Sequence, residues 1–102
     1  MSVSIAFARL EVAGEVASVA GVTYSGSPKT RHFCSTCGTR LWHRTADSAN
    51  VTLKIGTLDD ASGISPHGHL WVSKKQPWIV LDPALPAFDT QPDDVAAWRE
   101  AL

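Results

Sequence analysis

The sequence predicts an all-β fold, and two features carry that prediction. Short runs rich in β-branched and aromatic residues recur along the chain, and closely spaced clusters of Gly, Pro, Ser, Asp and Asn separate them. Only the end of the chain carries a helical period. At 102 residues, with 44% hydrophobic and 19% charged side chains, the chain suits one domain spanning 1–102 with a modest core.

The first strand is expected over 3–12, with Val3, Ile5 and Phe7 on one face and Ala6, Ala8 and Leu10 on the other. Gly14 breaks it, and 16–24 continues in β-branched residues. Ser25-Gly26-Ser27-Pro28 is a turn, because Gly accepts positive φ and Pro presets its own. Further strands are expected over 30–33, 39–44, 50–58, 69–73 and 78–81, with turns at 47–50, 59–68 and 74–77. From Pro92 to Leu102, Val95, Trp98 and Leu102 recur at helical spacing. Asp93 and Asp94 stand near the start and Arg99 near the end, as a helix dipole prefers. Residues 90–102 therefore read as a short C-terminal helix covering the sheet with Trp98.

Charge excludes some functions. Nine Lys and Arg against ten Asp and Glu give a net charge of −1, which denies the chain the dense positive surface of a general nucleic-acid binder. The same balance argues against docking on an anionic membrane. The apolar run 3–8 is too short for a secretory signal or a membrane span. A cytoplasmic location is expected, where Cys34 and Cys37 stay reduced and a structural disulfide does not form.

Those two cysteines form the one strong chemical signal, His32-Phe33-Cys34-Ser35-Thr36-Cys37-Gly38-Thr39. Two thiolates at C-x-x-C spacing can share a tetrahedral Zn²⁺ when the loop between them folds as a knuckle. Gly38 suits the exit from such a turn. A thiol redox motif is the alternative, but it opens a helix, whereas Thr39 to His43 reads as strand. A third alternative gives the pair no role. Zinc wants four ligands, and the chain has only two cysteines. The histidines His32, His43, His67 and His69, a second copy of the chain, or a segment outside this chain are each able to complete the shell.

Weaker candidates are read conservatively. His67 and His69 have the i, i+2 spacing of a strand-borne metal pair, but His69 more simply opens a buried strand. Asp59 and Asp60 read as turn caps rather than an acid–base dyad. Lys29, Arg31, Arg40 and Arg44 flank the knuckle as a solvated basic edge, or as a setting for thiolates or an anionic ligand. Trp42, Trp71 and Trp78 are expected in the core.

The stretch from Arg31 to Trp42 resembles the second zinc knuckle of the glutathione-dependent formaldehyde-activating enzyme family, which includes centromere protein V. Three further segments match in family order: Gly56-Thr57-Leu58-Asp59-Asp60; His69-Leu70-Trp71 with Lys75, Pro77 and Trp78; and Leu85-Pro86-Ala87-Phe88. The resemblance covers about residues 3–89. It implies a β-tent fold of stacked antiparallel sheets pinned by zinc, and carbon–sulfur lyase activity on a small thiol adduct of glutathione and formaldehyde. It also implies that Cys34 and Cys37 are half of a structural zinc site, whose other half is an N-terminal Cys-x-Cys pair. The family's catalytic zinc is held by a further run of three cysteines, and neither set has a counterpart here. The expectation is an N-terminally truncated family domain, inactive as a lyase and with no catalytic residues to assign. A homodimer is expected, with zinc shared between the cysteine pairs of two chains.

Overall fold

A computed structural model describes residues 1–100. The chain divides into two compact units, Met1–Ser62 and Gly63–Leu102. The first unit carries every strand found among the described residues. These are β1 (Ser2–Ala6), β2 (Val16–Val22), β3 (Pro28–Cys34), β4 (Arg40–Thr45) and β5 (Asn50–Lys54). They form one antiparallel sheet in the order β1-β5-β4-β3-β2. The all-β expectation holds. The strands described form a single sheet, where the family resemblance implies stacked ones.

Period-2 alternation sorts the sheet into two faces. Val3 lies opposite Leu53, Ile5 opposite Val51, and Leu53 opposite Trp42, so these five residues share one face. Trp42, Val51 and Leu53 are buried there, with Leu10, Val16, Leu41 and Leu58 packed against them. Burying each such side chain stabilises the fold by roughly 1.5–3 kcal/mol. His32 sits opposite Trp42 and stacks on it with ring centroids 4.5 Å apart. Arg44, on the same face, lies 4.2 Å above the Phe7 ring and donates from Nε to the Ser48 carbonyl at 2.6 Å. Thr52 and His43, one residue along from Leu53 and Trp42, point to the opposite face.

The expected strand boundaries shift for local reasons. The first strand ends at Ala6 because Phe7–Arg9 turns as 3-10 helix, and β5 ends at Lys54 because Ile55–Thr57 does the same. The expected turn near 25–28 forms: Thr23 accepts from Gly26 and donates to Ser27, and Gly26 takes φ +88° there.

The second unit corrects two expected strands. Residues 69–73 run beside 86–90, with a parallel bridge between His69 and Ala87 and bonds from Trp71 N–H to Thr90 and from Val72 N–H to Phe88. Trp71 then takes φ +58° and turns the chain into a 3-10 segment, Val72–Lys74, so no strand continues. Residues 78–81 also form no strand. Pro77 and Pro83 bracket them, and Trp78 and Val80 are exposed. The C-terminal helix is present as α1 (Val95–Glu100), which starts at Val95 rather than at the expected 90; residues 101–102 of that expectation lie outside the described residues. Asp94 caps it by accepting from the Ala97 N–H at 3.0 Å. Trp98 meets Phe88 edge to face at 5.2 Å, inside the second unit. Leu102, placed on the expected apolar stripe, and the Arg99 side chain lie outside the described residues.

Candidate functional site

Cys34 ends β3 and Arg40 begins β4, so the C-x-x-C loop is the connection of a hairpin. Three backbone bonds close it. Gly38 N–H donates to the Cys34 carbonyl at 2.8 Å, Cys34 N–H to the Thr39 carbonyl at 2.9 Å, and Ser35 N–H to the Glu15 carbonyl at 3.3 Å. Gly38 stands at φ +77°, a conformation that a residue with a Cβ adopts only under strain. The redox alternative needs the pair at a helix start, and here it stands between two strands.

Both cysteines are free, Cys34 half-buried and Cys37 exposed. The Thr39 hydroxyl lies 3.1 Å from Cys37 Sγ. That hydroxyl first, then the Thr39 backbone N–H and the Cys34 thiol, lower the Cys37 pKa below the usual thiol value. The two sulfurs are therefore neighbours, and the loop favours thiolate, the form that ligates metal. This donor set fits zinc in chemistry and would supply two of the four ligands of a tetrahedral shell. Among the described residues, no group of three or more His, Cys, Asp or Glu gathers where it could hold a metal.

The other candidates have separate places. His32 is stacked on Trp42, and burial lowers its pKa. His43 points to the opposite sheet face, with its Nδ1 buried and unpartnered. Burial, then Lys29, Lys54, Arg40 and Arg31, push the His43 pKa down to about 4. His67 is exposed in the second unit, and His69 there keeps a buried, unpartnered Nε2. Asp59 is exposed, and Asp60 accepts from both the N–H and the hydroxyl of Ser62, which lowers its pKa as a turn cap. Trp42 is core as expected, whereas Trp78 is exposed. Sequence reasoning missed Thr39, although a hydroxyl two residues after the second cysteine is a readable sign of a partner for its sulfur.

A single antiparallel sheet whose one thiol pair sits in a hairpin knuckle defines the class as an all-β, cysteine-knuckle protein. The chain belongs to the glutathione-dependent formaldehyde-activating enzyme family, whose model matches residues 1–74. That span contains the whole sheet and both cysteines. No curated protein matches the chain. No solved structure matches it either. No helix among the described residues is long and apolar enough to cross a membrane.

Proposed function

We propose that this chain is a cytoplasmic zinc-binding module of its family, in which Cys34 and Cys37 supply half of a tetrahedral thiolate shell and a second copy supplies the rest. The observation that carries this reading is the knuckle itself: neighbouring sulfurs, a lowered Cys37 pKa and Gly38 in the left-handed region, all on a hairpin of the sheet. Zinc bound there holds elements together rather than reacting, because a shell of four thiolates leaves no open position for substrate. The sheet supports self-association as well. Strands β1 and β2 are its edges, and Val16 of β2 lies opposite Cys34, so the knuckle between β3 and β4 lies beside one edge strand.

On this reading the 102-residue chain does not turn over the adduct of glutathione and formaldehyde. A metal-assisted lyase step needs a metal with a free position, and both cysteines of the chain are committed to the closed shell. Cobalt titration tests the proposal. Intense tetrahedral thiolate bands should saturate at one Co²⁺ per two chains, and both Cys34→Ser and Cys37→Ser should abolish them. Adduct turnover that disappears in Cys37→Ser but survives in Lys74→Gln would overturn it. A thiol redox reading draws on the lowered Cys37 pKa alone. It predicts rapid disulfide exchange that added zinc leaves unchanged.

A further inference from the structure

Every charged residue on the five strands is basic: Lys29 and Arg31 on β3, Arg40 and Arg44 on β4, and Lys54 on β5. The acidic residues of this unit, Glu11, Glu15, Asp47, Asp59 and Asp60, all lie outside the strands. Burial first, and then other cations with no carboxylate among them, lower the pKa of Lys29 and of Lys54. Solvated basic edges normally intersperse the two signs or point outward. All but Arg44 are instead gathered on one face of the sheet, Arg40 because the register shift between His32 and Phe33 pairs it with Phe33 on the Arg31 side.

The register shows how. Arg31 lies opposite His43, and His43 opposite Thr52, so the three form a row across β3, β4 and β5 on the face away from Trp42. Lys29 and Lys54 stand two residues from Arg31 and Thr52, on that same face. Arg44 faces the other way, over Phe7. Lys54 donates from Nζ to the Ser2 hydroxyl at 3.1 Å, which fixes its amine among hydroxyls rather than carboxylates. Gly21 of β2 leaves open the space where the Arg31 guanidinium lies, since a Cβ there would stand 2.8 Å from Arg31 Nη1. In the middle, His43 Nδ1 is buried with no hydrogen-bond partner.

A buried polar atom without a partner and a set of partly desolvated cations without counter-charge both cost free energy. An anion bound on that face would supply the missing counter-charge. The geometry points to a binding site for a small multivalent oxyanion, phosphoryl or carboxylate, held by Lys29, Arg31, Arg40 and Lys54 around His43 on the polar face of the sheet. Guanidinium groups pair such oxygens in bidentate fashion and ammonium groups neutralise them as point charges. A nucleic acid fits less well. The Trp42 ring that would stack a base lies on the opposite face, and the net charge of −1 supplies no long-range field for a polyanion. The site does not depend on the zinc reading, because it uses neither cysteine.

Calorimetric titration of the full chain at low ionic strength tests it, with pyrophosphate and citrate as separate probes. Saturable binding at one probe per chain is expected. A response to pyrophosphate alone marks a phosphoryl ligand, and a response to citrate alone a carboxylate ligand. Arg31→Gln and Lys54→Gln should each weaken binding roughly tenfold, the loss of one charged hydrogen-bond partner. Gly21→Ala displaces only the end of the Arg31 side chain and should weaken it several-fold with an unchanged thermal midpoint. Arg44→Gln, on the opposite face of the same sheet, should leave binding unchanged. In the unaltered chain, the His43 ring resonances should move on titration while those of His32, on the other face, stay still. Non-saturating heats, equal losses in Arg44→Gln and Arg31→Gln, or preferential binding of an oligonucleotide over pyrophosphate would each overturn the proposal.

Discussion

The two units of this chain are organised by different physics, and the contrast explains where its sequence is informative. In Met1–Ser62, backbone hydrogen bonds run in continuous antiparallel ladders, and one face of the sheet buries Trp42, Val51 and Leu53. In Gly63–Leu102, the backbone is held by separate bonds between 69–73 and 86–90 and by a short capped helix whose Trp98 meets Phe88. Alternation of apolar residues means strand only where a neighbouring strand exists to complete the ladder. The first unit pairs five strands in one sheet, and among the described residues the second has only the isolated bridge of His69 with Ala87.

The largest test of this contrast is removal of the first unit's central side chain. Trp42→Ala should cost about 3–5 kcal/mol, from lost burial, the cavity left behind and the lost stack on His32. Urea unfolding followed by amide exchange should show the loss concentrated in the strands. A loss shared equally by residues 69–90 would mean that the two units unfold as one.

The matching test of the second unit is Gly68→Ala. An added Cβ would run into the Trp98 indole and crowd the Pro86 carbonyl at 3.1 Å. Overpacking of this kind costs about 1–3 kcal/mol, and the expected signature is loss of the Trp98–Phe88 contact with the sheet amides still protected.

Acid should act on the first unit. The folded pKa of His43 is depressed to about 4 and that of His32 is also lowered, against about 6.5 in the unfolded chain. Between those values the unfolded state binds more protons, so the stabilisation is present above pH about 6.5 and is lost as pH falls toward 4. Allowing for solvent screening of a half-exposed ring, the His43 share is on the order of 1 kcal/mol. His43→Gln should flatten the pH dependence of the urea midpoint in that window. The smallest effect belongs to Asp94→Ala, which removes the cap of α1 at a cost of about 0.5–1 kcal/mol, read as faster amide exchange at Ala97 and Trp98.

Much of the first unit was legible. The turn at Gly26, the hairpin around Cys34 and Cys37, and the core position of Trp42 follow from period, turn chemistry and spacing. The ends of β1 and β5 were not, because Phe7–Arg9 and Ile55–Thr57 keep an apolar pattern while their backbone turns. In the second unit, Trp71 and Val72 look like strand, yet Trp71 takes a left-handed φ that costs about 1–3 kcal/mol. That cost is met by tertiary bonds to 88–90, which no local pattern announces. The knuckle was readable from four residues. The basic face was readable only in part: Lys29, Arg31 and Arg40 stand out beside the knuckle, but that Lys54 joins them and Arg44 does not follows from cross-strand register.

The central claim is that Cys34 and Cys37 form half of a shared metal shell. Native mass spectrometry of the purified chain, with zinc counted per protomer, tests it most directly. The account predicts a dimer carrying one zinc, which falls to metal-free chains in Cys34→Ser. A monomer carrying its own zinc, or a metal-free chain that zinc does not load, would contradict it.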